Sequence, residues 1–393
     1  MKFNILGSTK ARYELSKADA LDFGAKAAGV CYMPDDFEAI LSEPAENTLK
    51  RVNQTLTSGH HSVYDHSTYN LLLENVPKII AMVLNNEGMY TTSEKSARYT
   101  KMEPSEKELE LYNKWYEIFK KLIDEKYHAR YVEFGMKEKR IETQVGKLAQ
   151  ENARYMISVF TPTTMVYTVS FRQLNYIIGF FKNFIENGEE NDFNKKLKNA
   201  MSEFVNSIPD ELKEDLLNAN VKARGISIFD NRTSRKESFS ETYCTTYKGS
   251  FAQYAQAHRH RTIRYSMRLL DNAEFYIPEI IKEDETLAKE WLSDIESVKD
   301  VYPQGMLVNI VERGTYEDFL LKCKERLCGC AQLEITLQTK NTLDKYINET
   351  KDTDKEINEI LLKHSKGARC TFPGYSCASR CVWGAVDSLT RKI

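Results

Sequence analysis

The chain of 393 residues lacks an excess of charge of either sign, because 55 Lys and Arg stand against 57 Asp and Glu, for a net charge of -2. Proteins that hold a nucleic-acid polymer or an anionic membrane over a broad surface usually carry a positive excess, so we expect neither partner. The sequence also lacks an apolar run of about 18 residues and a charged leader followed by an apolar core. We therefore expect a soluble, cytoplasmic protein.

The cysteines lack the pattern of a small secreted disulfide framework. The chain has eight, and five of them lie in the last 66 residues. Cys370, Cys377 and Cys381 share a loop on which thiolates can converge, and Cys328 or Cys330 can supply a fourth ligand. This spacing is a weaker signal than paired Cys-x2-Cys knuckles. It predicts a zinc or iron-sulfur site, with reduced surface or core thiols as the alternative.

The most informative stretch that is present is a helix that ends in cations. Residues 250–263 read Ser-Phe-Ala-Gln-Tyr-Ala-Gln-Ala-His-Arg-His-Arg-Thr-Ile. Arg259 and Arg261 can each hold phosphate or carboxylate oxygens with two hydrogen bonds, and His260 between them offers a planar ring. The pattern predicts a local pocket for a small anionic ligand. The alternative is a solvated basic helix end that interacts favourably with the helix dipole.

Two polar stretches in the first half add candidates. Residues 58–66 contain three histidines within seven positions, but no helical i, i+4 His pair with a Glu accompanies them, so structural or ligand-contacting histidines are favoured over a metal site. Further on, Glu94, Ser96 and Arg98 follow each other at i, i+2 and i+4. That spacing lets the backbone present all three to one small polar ligand, and the alternative is an ordinary polar loop.

The length predicts two domains. The second half repeats the first in its order of strand, apolar helix and functional turn, which predicts an internal duplication of a unit of roughly 200 residues. We place the domains at residues 1–217 and 218–393. Because short alternating strands lie among long helices, each half is predicted to be an α+β unit with helices packed on a small antiparallel or mixed sheet. Ser105 with Glu108 predicts a capping box at the start of one helix.

These motifs resemble those of the flavin-dependent thymidylate synthases, the ThyX family. Members carry Gly-His-Glu-x3-Glu-His, a helix ending in Arg-His-Arg, a Glu-x-Ser-x-Arg-Tyr run, and a later Arg followed by Ala-Gln-x-Glu-Ile. The first half matches the first piece at residues 59–66 and the nucleotide run at residues 94–99. The second half matches the helix at residues 256–261, the later Arg at Arg326, and the tail at residues 331–335.

Each half lacks the pieces that the other retains. Where the family has Arg-His-Arg, the first half has Asn86-Glu87-Gly88, and it has Phe181 in place of the later Arg. The second half has Leu269 in place of the Ser of the nucleotide run. Since the family builds its active sites where subunits meet, the resemblance implies a fused pseudo-dimer with one composite site per pair of halves. Two such chains would recreate the family's four-unit assembly as a homodimer.

The resemblance implies an FAD-dependent enzyme that converts dUMP to dTMP with methylenetetrahydrofolate and NADPH. It implies that Arg326 and Arg259 lie near the pyrimidine as catalytic groups. The remaining substrate contacts that it implies are Gln256, Glu94, Ser96, Arg98 and Arg154. The residues implied to face FAD are His60, Ser62, Asp65, Arg172, His260 and Arg261.

Two departures from the family pattern leave alternatives open. His61 stands where the family has Glu, and Lys95 stands at a usually apolar position of the nucleotide run. The alternatives are another pyrimidine nucleotide as substrate, a hydroxymethyl transfer, or a flavin- or nucleotide-binding regulatory protein that has lost catalysis.

Overall fold

The computed structural model describes residues 1–8, 17–33, 37–96, 104–214, 216, 236–377 and 381–393, with the backbone alone for residues 4–8, 31, 32 and 37. The strands among these residues are β1 (Lys2–Ser8), β2 (Thr68–Pro77), β3 (Tyr90–Glu94), β4 (Pro162–Ser170), β5 (Ser238–Phe239), β6 (Thr242–Ser250), β7 (Arg264–Leu269) and β8 (Leu307–Thr315). The α-helices are α1 (Lys17–Tyr32), α2 (Phe37–Leu41), α3 (Ala45–Thr57), α4 (Lys78–Leu84), α5 (Glu106–Glu133), α6 (Glu138–Ala153), α7 (Phe171–Asn187), α8 (Asp192–Ser207), α9 (Phe251–Ala257), α10 (Glu285–Glu296), α11 (Tyr316–Arg326), α12 (Leu333–Thr350), α13 (Lys355–Lys363) and α14 (Gly384–Thr390).

The first compact unit comprises residues 1–95 and 162–225. Its four strands form an antiparallel sheet in the order β1-β2-β4-β3. Along β2 every second side chain is buried, including Tyr69, Leu71 and Leu73, as expected for a strand with one face on a core. α7 follows β4 without a loop, because the Ser170 hydroxyl accepts the Gln173 backbone N–H at 3.1 Å and caps the helix.

The second compact unit comprises residues 96–161 and 226–393. Its strands repeat the same antiparallel order, β5-β6-β8-β7. Here too, helices follow strands directly: the Ser250 hydroxyl caps α9, and Thr315 forms a capping box with Asp318 at the start of α11. A strand, a helix and a strand therefore succeed each other in the same order in both units.

The grouping of residues 96–161 with the C-terminal residues was not predicted from the sequence. It follows from an aromatic core in which α5 and α6 pack with α10. The rings of Trp115 and Trp291 are nearly perpendicular, with centroids 4.9 Å apart, and the Trp115 indole N–H donates to Asp294 Oδ2 at 2.8 Å. Both tryptophans are fully buried. Tyr155, which follows α6, also contacts Trp291, so this core determines where the end of α6 lies within the unit.

Equivalent positions of the two units are found by counting from the residue that precedes each pair of corresponding helices. Counted from the caps of α7 and α11, Ser170 and Thr315, the eleventh residue is Phe181 in the first unit and Arg326 in the second. Counted from the residues that precede α4 and α9, residues 86–88 hold the positions of Arg259 to Arg261. The same correspondence follows from the motif spacing in the sequence.

The predicted α+β class is confirmed, since helices accompany two small antiparallel sheets. The predicted division between residues 217 and 218 lies outside the described residues and stays a prediction. Within the described ranges, no helix combines the length and the apolar character needed to cross a membrane.

We expect Trp291→Ala to lower the free energy of unfolding of the second unit by about 3–5 kcal/mol, because it leaves a large cavity in the aromatic core. It also removes the indole N–H that donates to the Tyr276 carbonyl at 2.8 Å. Urea denaturation followed by circular dichroism measures the change. The control is Leu321→Ala at an exposed site of α11, for which a change within about 0.5 kcal/mol is expected. Equal effects of the two substitutions would contradict the structural role of this core.

Candidate functional site

Two segments of the second unit meet at Arg326, the last residue of α11. Its Nε–H donates to His260 Nε2 at 2.8 Å, and its Nη2 donates to the backbone carbonyl of Gln256 at 3.1 Å. Because a guanidinium can only donate, His260 Nε2 is an acceptor and the neutral ring carries its proton on Nδ1. That nitrogen lies 3.6 Å from Glu325 Oε2. Burial, reinforced by the positive charge of Arg326, holds the pKa of His260 well below its usual value.

A third segment reaches the same place through the carboxamide of Gln332. Gln332 Oε1 accepts hydrogen bonds from Arg154 Nη2 and from Gln256 Nε2. Arg154 and Gln332 are both at least 97% buried. Arg154 also donates its Nε–H to the Glu151 carbonyl at 3.2 Å, which holds the guanidinium against the end of α6. Two residues predicted to contact the nucleotide, Arg154 and Gln256, therefore share one acceptor.

A buried carboxylate lies behind this group. Glu334 accepts the Ser250 backbone N–H at 2.8 Å, the Ser250 hydroxyl at 2.6 Å and the Tyr155 hydroxyl at 2.8 Å. The Tyr155 hydroxyl in turn accepts from Gln332 Nε2. Burial raises the pKa of Glu334, and the hydrogen bonds from Ser250 oppose that rise. One carboxylate thus joins the end of α6, the start of α9 and the start of α12.

The second unit therefore brings together four of the residues predicted from the sequence, Arg154, Gln256, His260 and Arg326. The other two cations of the Arg-His-Arg stretch lie on the turn that follows α9. Arg259 is half-buried there and Arg261 is exposed. The backbone carbonyl of Arg261 accepts from Arg264 Nη1 at 3.2 Å. Several guanidinium donors beside a carboxamide and a neutral imidazole are the polar groups expected around a small anionic heteroaromatic ligand.

In the first unit the predicted flavin-facing residues lie around a short 3-10 helix, His61–Asp65. Asp65 accepts from the Ser170 hydroxyl at 2.8 Å and from Arg172 Nη1 at 3.3 Å. Arg172 is 7% exposed, and its Nε is buried without a hydrogen-bond partner in the described part of the chain. Ser62 is exposed and His60 is half-buried. The unit thus brings Asp65 and Arg172 into direct contact.

His61, which replaces the family's Glu, faces the interior of the first unit. It is 1% exposed, and its Nε2 lies 3.0 Å from the Leu56 carbonyl oxygen. Its ring also contacts Tyr64. This histidine therefore has the structural role that the sequence analysis weighed for the three histidines.

The nucleotide run follows β3. The Glu94 carboxylate accepts from Lys78 Nζ and, at 3.3 Å, from Asn85 Nδ2, and the side chains of Glu94 and Lys78 are 1% and 7% exposed. Glu94 is thus held within its own unit, and a ligand would have to compete with Lys78 for it. Ser96 is half-buried, and Arg98 lies outside the described residues.

The predicted metal site is not formed by the described residues, among which no group of three or more His, Cys, Asp or Glu is able to hold a metal ion. A thiolate site needs its sulfurs about 2.3 Å from one ion. Cys370 and Cys377 are exposed, while the half-buried Cys381 accepts the Gly384 backbone N–H at 3.3 Å. Loop spacing permits thiols to converge without requiring it, so a metal site at Cys370, Cys377 and Cys381 stays a prediction.

Four residues of the group were missing from the candidates proposed from the sequence: Ser250, Gln332, Tyr155 and Glu334. A signal for two of them was present, because the Ala-Gln-x-Glu-Ile stretch at residues 331–335 contains Gln332 and Glu334. Nothing in the spacing of the chain pointed to Tyr155 or to the capping residue Ser250.

We expect Glu334→Ala to lower the free energy of unfolding by about 3 kcal/mol, since it leaves the buried Ser250 N–H and Tyr155 hydroxyl without their acceptor. Urea denaturation measures the change. The control is Glu349→Ala at an exposed position of the same helix, which should stay within about 0.5 kcal/mol. A loss below about 1 kcal/mol for Glu334→Ala would mean that the carboxylate does not join these segments.

A comparison with family models matches residues 15–209 to the family described as thymidylate synthase complementing protein. Among curated proteins, a flavin-dependent thymidylate synthase of Thermococcus onnurineus (strain NA1) is 24% identical over 155 residues, which cover 36% of this chain and 56% of that protein. The chain thus spans about half the length of the curated relative that it matches.

Solved structures give weaker similarities. A crystal structure of the flavin-dependent thymidylate synthase ThyX of Helicobacter pylori, complexed with FAD and dUMP, is 18% identical and has a TM-score of 0.31, covering 55% of this chain and all of that chain. The UMP/dUMP methylase PolB of Streptomyces cacaoi, bound with 5-Br dUMP, is 15% identical with a TM-score of 0.27, covering 45% of this chain and 76% of that chain.

From the family match, together with the motifs shared along the sequence, the chain belongs to the ThyX family of flavin-dependent thymidylate synthases.

Proposed function

We propose that the protein is a flavin-dependent thymidylate synthase, which reductively methylates dUMP to dTMP with methylenetetrahydrofolate and NADPH as co-substrates. The observation that carries this proposal is the shared acceptor of Arg154 and Gln256. These residues come from opposite halves of the sequence, and each was assigned to the nucleotide by family motif alone. Their meeting beside Arg326 and His260 is what a single nucleotide site requires.

The polar groups of this cluster suit a uracil ring. Uracil C5 is a weak nucleophile until negative charge on the ring carbonyl oxygens is stabilised, and buried guanidinium groups provide that stabilisation without reorganising. Arg326 is the group best placed for this role, because its hydrogen bonds to His260 Nε2 and to the Gln256 carbonyl hold its plane. The neutral His260 orients the guanidinium and leaves its positive charge available.

The residues also fit FAD. Arg172 Nε is a buried donor that lacks an acceptor among the described residues, and Arg261 and Ser62 are exposed. Guanidinium and hydroxyl groups of this kind hold pyrophosphate oxygens, so Arg172, Arg261 and Ser62 would bind the cofactor, with Asp65 orienting Arg172. When bound, FAD supplies the hydride that completes the methyl group, with NADPH as the source of electrons.

We further propose one composite site per pair of halves. The first half retains Glu94, Ser96 and Arg98, whereas the second retains Gln256, Arg259 and Arg326. The matching positions of the other half hold residues that cannot do the same chemistry, such as Phe181 at the position of Arg326. Two chains would then assemble as a homodimer of pseudo-dimers.

The proposal predicts a yellow protein that consumes NADPH and releases tritium from [5-3H]dUMP only when methylenetetrahydrofolate is present. We expect about one FAD per chain, because a composite site uses both halves once. Flavin absorbance and the tritium-release assay measure both. A protein that binds FAD and dUMP without tritium release would favour the regulatory alternative, and methylation of a different nucleotide would favour the altered-substrate alternative. Failure to bind either ligand would overturn the proposal.

We expect Arg326→Lys to lower kcat/KM for dUMP by about 100-fold, because a lysine cannot keep both hydrogen bonds while stabilising charge on the ring. The control is Arg268→Lys, at an exposed position of β7, which should leave kcat/KM unchanged. The tritium-release rate at several dUMP concentrations measures the effect. Equal rates for the wild type and Arg326→Lys would remove Arg326 from the catalytic group.

A further inference from the structure

The carboxamide of Gln332 lies at the centre of a continuous chain of hydrogen bonds. On one side Gln332 Nε2 donates to the Tyr155 hydroxyl, which donates to Glu334 Oε2 at 2.8 Å. On the other side Gln332 Oε1 accepts from Arg154 and from Gln256. Gln332 is 3% exposed, so water contributes little to satisfying its polar atoms.

The chemistry of the neighbours determines which way this carboxamide points. Arg154 has donors and no acceptor, so it can face only the oxygen of Gln332. At the other end the Glu334 carboxyl accepts from the Ser250 N–H and hydroxyl and from the Tyr155 hydroxyl, so the Tyr155 oxygen accepts the Gln332 N–H. Both ends therefore require the same orientation of the amide, and turning it around would place N–H against N–H at Arg154.

The orientation of Gln332 determines that of Gln256. Because Gln332 presents its oxygen, Gln256 must present its amide nitrogen to it, which turns Gln256 Oε1 away from Gln332. That oxygen is buried and has no hydrogen-bond partner among the described residues. A buried acceptor without a donor is costly, at about 1–3 kcal/mol, and a ligand that brings an N–H to this oxygen removes the cost.

We propose that Gln332 is a positioning residue for base selection: it holds Gln256 with its amide oxygen towards the substrate, so that the site accepts a pyrimidine with an N–H at ring position 3. Uracil has a donor at that position, whereas neutral cytosine has an acceptor. With the Gln256 amide held in this orientation, cytosine would place its N3 lone pair against an oxygen. This inference rests on the proposed function and assigns the selection of uracil over cytosine to a residue that does not itself touch the base.

The inference is tested by titrating the purified, FAD-loaded full chain with dUMP and with dCMP in a calorimeter. The wild type is expected to bind dUMP at least about tenfold more tightly than dCMP, since unpaired polar groups penalise the wrong base. In Gln332→Met the chain of hydrogen bonds is lost at nearly constant volume, and the Gln256 amide can turn around. We expect the affinity ratio to fall to about one, through weaker dUMP binding and unweakened dCMP binding.

The matched variant is Gln332→Glu, which keeps an acceptor towards Arg154 and Gln256 and should keep the preference for dUMP. If Gln332→Met does not fold, Gln332→Asn, whose amide is one methylene too short to reach Gln256, replaces it with the same expected loss of preference. Near-ultraviolet circular dichroism checks folding.

The outcomes separate this inference from the proposed function. An unchanged dUMP to dCMP ratio in Gln332→Met, or an equal loss of affinity for both nucleotides, would overturn the positioning role while leaving the proposed function standing. A wild type that binds both nucleotides equally would also overturn the inference. A wild type that binds neither nucleotide would overturn the proposed function and, with it, the inference.

Discussion

The site in the second unit depends on the burial of one carboxylate. Moving an ionised carboxylate out of water costs several kcal/mol unless donors surround it, and Glu334 receives three, two from Ser250 and one from Tyr155. These donors lie on segments that are far apart in the chain. The requirement to satisfy Glu334 therefore brings the end of α6, the start of α9 and the start of α12 to one point. Arg154, Gln256 and Gln332 lie within a few residues of it.

A second buried charge holds the helix that ends at Arg326. The side chains of Lys322 on α11 and Glu312 on β8 are both fully buried and lie 2.6 Å apart. Glu312 also accepts the hydroxyls of Tyr243 and Tyr247, each at 2.7 Å. Burial lowers the pKa of Lys322, although its partner Glu312 opposes the shift. Breaking such a pair leaves an uncompensated buried charge. The ion pair therefore holds α11 against β8, and this fixes the position of Arg326 at the end of α11.

The two units share an order of strands and helices but use equivalent positions differently. In the first unit Lys78 at the start of α4 holds Glu94 at the end of β3. The equivalent positions of the second unit, counted from the helix caps, are Phe251 and Met267, both buried. An ion pair in one unit thus corresponds to apolar packing in the other, an exchange that protein interiors tolerate when the volume is retained. The two units thus keep a common order of strands and helices, while the side chains at equivalent positions differ.

The sequence by itself determined the local features of this protein. The capping box at Ser105 and the α+β class depend on hydrogen bonds between near neighbours and on short-range periodicity, both of which can be read along the chain. The motif positions of Arg154, Gln256, His260 and Arg326 were also readable, because they rest on spacing within short stretches.

Only the tertiary structure decided how these stretches meet. Tyr155, Gln332 and Glu334 are joined by hydrogen bonds between residues about 180 positions apart, and the helices before Tyr155 pack with α10 inside the second unit through buried aromatic rings. Neither local propensity nor composition encodes such partners. The same limit explains the cysteines, whose spacing allowed a metal site that the described residues do not form. The caps and motifs depend on chemical groups a few residues apart in the chain. The site depends on polar groups that are far apart in the chain and that can be buried only when they hydrogen-bond to one another.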